Sequence, residues 1–282
     1  MSASIAKALT ELIEKQQNGS KMNGAMIAKV VDNVDPEGRY RVRVSFPWLS
    51  DQYSKETTSD GSDSKVQSFW ARMTTLMAGK DNGSYWIPEI DDEVLVVFEN
   101  GDFAHPIITG CLWNGVTTAP KKVKFSPDNT EIEVSNKSQG GKNDFRFMRS
   151  RMGHTLAFID KDGKGGISLR TAKSAELYLN DTNGSECIKL YDSKQTQWLT
   201  IDTAKKSITM QTDEGDILIK AKEKIRMECN NLEISAKRNI DIDAGNKIHQ
   251  SCMKYAAEST ISTEMDGGNK MKLVATRIDL NP

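Results

Sequence analysis

The chain reads as an all-β protein: a short N-terminal helix, a small closed barrel, and a long run of very short strands. Two observations carry that reading. From Ile167 onward, aliphatic pairs recur at i and i+2: Ile167/Leu169, Leu177/Leu179, Ile188/Leu190, Leu199/Ile201, Ile208/Met210, Ile217/Ile219, Ile225/Met227, Leu232/Ile234, Ile240/Ile242, then Ile248. That spacing is the period of a strand with one apolar face. Turn-forming Asp, Asn, Lys, Ser, Thr and Gly lie between the pairs. From Ile208 the first members step by 9, 8, 7, 8 and 8 residues, a solenoid signature. The second observation is a cluster of strand-like segments in residues 24–115, separated by strong turns.

Taken in order, residues 2–17 predict an amphipathic helix. Ile5, Leu9, Leu12 and Ile13 form one stripe, with Ser2 or Ser4 as cap and Asn18-Gly19 as the stop. A lone helix of this length is marginal, so the stripe must dock, either on its own domain or on a partner. Residues 1–23 therefore form a helix and linker ahead of the barrel.

In residues 24–115, Met26–Val31 is strand-like and the Asp35-Pro36-Glu37-Gly38 turn follows. Tyr40–Phe46 alternates apolar and charged residues, as a half-buried strand does. Residues 50–68 are polar and read as a long loop. Phe69–Met73, Tyr85–Pro88 and Glu93–Phe98 follow, and Glu99-Asn100-Gly101-Asp102 turns the chain into His105–Leu112. Five strands with one long insertion predict a barrel of OB type. Residues 116–166 read as a connector, and residues 167–282 as the repeat shaft. Periodicity alone leaves open whether the shaft is a single-chain solenoid or three chains wound together.

Composition narrows the function. With 38 Lys and Arg against 39 Asp and Glu, the net charge is −1, without the cationic surplus that phosphate binding demands. No apolar stretch approaches the ~18 residues of a membrane helix. Cys111, Cys187, Cys229 and Cys252 lack zinc or redox spacing and read as reduced, partly buried thiols. His105, His154 and His249 lie far apart, with no nucleophile signature beside them. Asp160-x-Asp162-Gly163 lacks the later glutamate of a calcium loop and reads as a turn. The acid pairs Asp91/Asp92 and Asp213/Glu214 also sit in turns. The expectation is no catalytic site, no cofactor and no metal. Trp48, Trp70, Trp86 and Trp113 could stack bases on an OB barrel, but are expected in the barrel core and at contacts between chains.

Five ordered blocks carry a family resemblance: Arg43-Val44-Ser45-Phe46-Pro47-Trp48, Phe69-Trp70-Ala71-Arg72, Trp86–Val96, Phe98-Glu99-Asn100-Gly101-Asp102, and Pro106–Gly110 with Trp113-Asn114-Gly115. Together they resemble the OB domain of the VgrG family and of the central spikes of contractile-tail phages. Asp160–Gly163 followed by Ile167-Ser168-Leu169 resembles that family's entry to its β-helix. The resemblance covers residues 24–282. It implies a homotrimer whose shaft is an intertwined triple-stranded β-helix, roughly 65–70 Å long at ~4.8 Å per strand. It also implies a non-enzymatic spike of a contractile injection system, joined indirectly to an inner tube and meeting the target membrane on firing.

Two departures shape the expected partners. VgrG proteins usually carry a large hub ahead of the barrel, and here about 23 residues precede it. A separate hub or baseplate protein is therefore expected on Ile5, Leu9, Leu12 and Ile13. No His-x-His apex appears either, the last histidine being His249. A separate PAAR-type tip protein is expected on Leu273, Val274, Ile278, Leu280 and Asn281. Assembly is expected in the bacterial cytoplasm, and delivery into the target envelope. The alternative is a nucleic-acid or carbohydrate binding module on a trimeric stalk.

Overall fold

A computed structural model describes residues 22, 24–49, 67–125, 130–134 and 142–278. The expected N-terminal helix, the loop 50–66 and the last four residues lie outside them. The chain divides into two units, Met1–Leu218 and Ile219–Pro282.

The first unit opens with a closed five-stranded barrel. Its strands are β1 (Met26–Asp32), β2 (Arg41–Ser45), β3 (Ala71–Met73), β6 (Glu93–Phe98) and β7 (Pro106–Leu112), in the order β1-β2-β3-β7-β6. Neighbours run antiparallel except β3 and β7, which pair in parallel and close the barrel. Alternation decides which residues turn inward. Val42, Val44, Val94 and Val96 are fully buried, whereas Arg41, Arg43, Glu93 and Leu95 point outward. Phe46, Phe98 and Phe103 plug the interior, with centroids 5.2–6.0 Å apart. A two-residue hairpin, β4 (Ala78–Gly79) with β5 (Asn82–Gly83), extends from the β3–β6 connection.

Two sequence expectations change here. Tyr85–Pro88 forms no strand. Instead the Tyr40 hydroxyl accepts from the Trp86 amide at 2.7 Å and donates to the Trp86 carbonyl at 2.8 Å. Side chains thus satisfy a backbone that Pro88, lacking an N–H, would interrupt in any ladder. The tryptophans are also not the core. Trp86 and Trp113 are 60% and 67% exposed, Trp48 is 38% exposed, and phenylalanines fill the interior instead.

After the barrel, β8 (Lys122–Phe125) and β9 (Thr130–Glu133) form a hairpin. The chain then enters a seven-stranded antiparallel meander: β10 (Phe145–Arg149), β11 (Thr155–Ile159), β12 (Lys164–Arg170), β13 (Glu176–Thr182), β14 (Cys187–Tyr191), β15 (Gln197–Asp202) and β16 (Ser207–Thr212). The 166/167 boundary read from sequence thus falls inside β12. The first five aliphatic pairs of the shaft lie in a sheet that pairs within one chain.

One face of this sheet is covered at its start. Val123, Phe145, Ala157, Ile159 and Tyr178 form a buried cluster, with Ile132 and Val134 of the β8–β9 hairpin packed on it. On the same face, Arg170 and Glu176 are register partners. Arg170 donates to Glu176 Oε2 at 2.9 Å, and the Ser168 hydroxyl donates to Glu176 Oε1 at 2.6 Å. The two charged side chains are 5% and 0% exposed. Gly166 lies in the close-packed part of β12, where an added Cβ would sit 2.7 Å from the Leu179 carbonyl oxygen.

In the second unit, residues 219–278 contain no strand among the described residues. Its isoleucines, leucines and valines are open to solvent, from 52% exposed at Ile278 to 96% at Ile261 among the described residues.

Candidate assembly surfaces

The opposite face of the meander is apolar and open to solvent. Strand register stacks the aliphatic pairs into two straight columns. One column runs Phe158, Ile167, Leu179, Ile188, Ile201, Ile208, each residue facing the next across the ladder. The other runs Met148, Leu156, Leu169, Leu177, Leu190, Leu199, Met210. In an antiparallel hairpin the second member of one pair meets the first member of the next, so a constant i, i+2 beat lays down parallel columns. Leu169 and Leu190 are 55% and 51% exposed, and Ile208 is 74% exposed. Eleven of the thirteen column side chains are exposed, and Leu156 and Leu199 are half-buried, a larger apolar face than monomeric surfaces ordinarily leave wet. Met148, Leu156 and Phe158 fall in the segment read as connector. Leu156/Phe158 already shows the i, i+2 beat, and that signal could have extended the repeat upstream.

The aliphatic beat continues past the sheet. Ile217, Ile219, Ile225, Met227, Leu232, Ile234, Ile240, Ile242 and Ile248 are all about half exposed or more. Of the expected tip-docking residues, Leu273, Val274 and Ile278 are exposed at 64%, 79% and 52%, while Leu280 and Asn281 lie outside the described residues. The expected hub-docking stripe Ile5, Leu9, Leu12 and Ile13 also lies outside them.

The barrel presents a different surface. A groove of about 550 Å³ is lined by Arg39, Arg41, Arg72, Phe69, Trp70 and His105, among others. Its cations are largely spoken for. Arg41 forms a fork on Asp35, with Nε to Oδ2 at 2.8 Å and Nη2 to Oδ1 at 2.7 Å, and it also reaches Glu37 at 3.3 Å. Arg41's hydrogen bonds hold the Asp35 carboxyl well below the usual carboxylate range, with backbone N–H groups of Glu37 and Arg39 adding to the effect. The Arg43 and Arg41 guanidinium carbons lie 4.9 and 5.8 Å from the Trp70 ring centroid. Trp70 is thus engaged by cations of its own chain rather than offered to a base.

The sequence-picked acids and histidines do not converge. Asp160 pairs with Arg146, and Asp162 pairs with Lys142 at 3.4 Å, so the Asp160–Gly163 segment is an ion-paired turn with Gly163 at φ 68°. His105 Nδ1 is 2.9 Å from Asp102 in the turn before β7. His154 Nδ1 accepts from the Ala172 amide at 3.2 Å. Cys187 is buried in the sheet, while Cys111, Cys229 and Cys252 are exposed.

Parts of the chain match known proteins. The family of type VI secretion system/phage-baseplate injector OB domains matches residues 26–113, the span from the start of β1 to just past β7. Over part of its length the chain is similar to VgrG spike proteins. It is 31% identical over 189 residues to the type VI secretion system spike protein VgrG3 of Vibrio cholerae, covering 64% of this chain and 16% of that protein. It is 28% identical over 165 residues to the spike protein VgrG1b of Pseudomonas aeruginosa, covering 58% of this chain and 18% of that protein. The actin cross-linking toxin VgrG1 of Vibrio cholerae is 29% identical over 189 residues, covering 64% of this chain and 15% of the toxin. The chain thus spans under one fifth of the length of these relatives.

Proposed function

We propose that this chain is the non-enzymatic central spike of a contractile injection system, acting as a homotrimer. The observation that carries the reading is an injector-type OB barrel followed in the same chain by two continuous aliphatic columns that face solvent. Three copies around one axis would bury those columns against each other and leave the charged edges outward. The barrel end would meet the baseplate, either through the stripe Ile5, Leu9, Leu12 and Ile13 or through a hub. The distal end, including Leu273, Val274, Ile278, Leu280 and Asn281, would take a PAAR-type tip. Function is then mechanical. A stiff rod transmits the force of contraction to a point, and no bond is made or broken by its own residues.

The chain would work inside a bacterial injection particle and reach the target envelope on firing. Native mass measurement should give three times 31.4 kDa, and affinity capture should retain sheath, tube and baseplate components. A stable folded monomer at micromolar concentration refutes the spike reading. Salt-sensitive binding of single-stranded DNA by the barrel would favour the nucleic-acid module instead, a reading that the Asp35–Arg41 fork and the occupied Trp70 faces disfavour.

A further inference from the structure

We propose that the cavity between the β8–β9 hairpin and the first turns of the meander is an anion site. It would take one small dianionic oxyanion of the phosphate class, which staples the connector to the sheet. The site lies within one chain and does not depend on the trimeric reading above.

The cavity, of about 230 Å³, opens where three elements meet: the β8–β9 hairpin, the turn from β10 to β11 and the turn from β12 to β13. That volume is below the ~300 Å³ at which sites for drug-sized ligands begin, and it suits an ion with a few waters. Its walls are cationic. Register sets Arg149 opposite Thr155 and Thr155 opposite Arg170, so the three form one row on the covered face of the sheet. The hairpin adds Lys122 and Lys124, two residues apart and therefore on one side of β8. All four cations line the cavity.

Among the described residues, acids do not balance them. Glu131 is the one carboxylate in the wall, and both lysines share it, at 3.3 and 3.6 Å. Hydrogen bonding from Lys122, with Lys124 adding to the effect, holds the Glu131 carboxyl below its ordinary range. Arg170 is matched by Glu176. Four cations against those two carboxylates leave two positive charges in excess.

Arg149 carries most of the deficit. Its Nη1 donates to the Lys122 carbonyl oxygen at 3.3 Å, a long bond to a neutral acceptor, and it forms no ion pair among the described residues. Its guanidinium is nevertheless placed. Nη2 lies 3.5 Å from the point where a Cβ at Gly153 would stand, and the Ala172 methyl lies 3.7 Å from the same point. The group thus sits beside both turns. A guanidinium presents paired donors that match oxyanion geometry, whereas lysines add charge without that fork. The Thr171 hydroxyl, also in the wall, accepts from the Ala175 amide at 3.0 Å and keeps its own hydrogen to donate. In the barrel groove, by contrast, Asp35 and Glu37 already neutralise Arg39 and Arg41.

Bound there, the anion would bridge β8 to the β10–β11 turn. It would reinforce the packing of Ile132 and Val134 that holds the hairpin on the sheet. A ligand that binds only the folded state stabilises it by mass action, so the connector should be firmer in phosphate than in chloride.

Inorganic phosphate titrated into the full-length protein tests this, with sodium chloride keeping ionic strength constant. Calorimetry should show saturable binding of one anion per chain, and the melting temperature should rise with phosphate. Arg149→Gln and Lys124→Gln lie on different elements, and each should weaken binding about tenfold or more while circular dichroism stays that of wild type. Arg149→Lys should fall between. Arg146→Gln, on the same strand but outside the cavity, should bind as wild type does. Sulfate should displace phosphate, and acetate, a monoanion, should not. Absence of saturable binding overturns the proposal, as does an equal response to chloride, which would be screening of surface charge. Binding left intact by both cavity variants overturns it too, because the anion would then sit elsewhere. Displacement by acetate at equal concentration overturns the dianion assignment. Native mass read on the same samples scores the trimeric reading separately.

Discussion

The meander of residues 145–212 and the segment of residues 216–267 carry the same aliphatic beat and obey different backbone rules. In the meander, hairpins let one chain satisfy its own hydrogen bonds, and only the apolar columns remain unburied. In the later segment both the side chains and the backbone remain open. The comparison teaches that apolar periodicity reports which residues will be covered, whereas turn chemistry reports who covers them. In the meander each reversal carries one left-handed residue, and residues 216–267 carry none.

The sharpest way to break this contrast is Ile234→Asp. A charge in the later segment should open residues 216–267 to protease while the meander stays resistant and the oligomer persists on its proximal columns. Limited proteolysis with mass mapping checks it, and first cleavage inside 145–212 would invert the assignment.

Glu176→Ala comes next and strikes only the meander. It leaves the Arg170 guanidinium, 5% exposed, without its carboxylate. Breaking such a buried pair costs about 3–5 kcal/mol, so chemical denaturation should show the sheet losing stability by that order. Glu176→Gln, which keeps the shape and one acceptor, should lose less.

Gly166→Ala is a smaller test in the same sheet. Its Cβ would press on the Leu179 carbonyl oxygen at 2.7 Å and on the Tyr178 ring at 3.2 Å. Overpacking of this kind costs about 1–3 kcal/mol. The same exchange at Gly245, where a Cβ would meet open space, should be silent in an isolated chain. If Gly245→Ala disturbs the trimer, strands from other copies crowd that position.

The mildest effect is acid sensitivity of the barrel. Asp35 is held below its ordinary pKa by Arg41, with smaller help from backbone donors. A depressed carboxylate adds stability that is fully present above its unfolded value, about pH 4, and is lost as pH falls through the lower folded value. Asp192 follows the same sign in the meander turn between β14 and β15, where the Gln197 and Lys194 amides lower its pKa. Melting temperature should therefore fall below about pH 4, and Asp35→Asn should flatten that dependence for the barrel. An unchanged slope would place the acid-sensitive step elsewhere.

Much of this fold was legible from residues alone. Alternation in Tyr40–Phe46 named the inward Val42 and Val44, and five ordered blocks marked the barrel that the injector OB family also matches. The aliphatic pairs named the columns before any register was known. Local chemistry sufficed for these because period and turn residues act within a few positions. Three things waited for the tertiary structure. Phenylalanines rather than tryptophans fill the barrel, because closure through β3 and β7 decides which aromatics turn inward. The connector joins the sheet, because cross-strand pairing sets membership where composition does not. The in-chain sheet ends at β16, because backbone reversal, which side-chain periodicity does not encode, decides whether a chain folds back on itself.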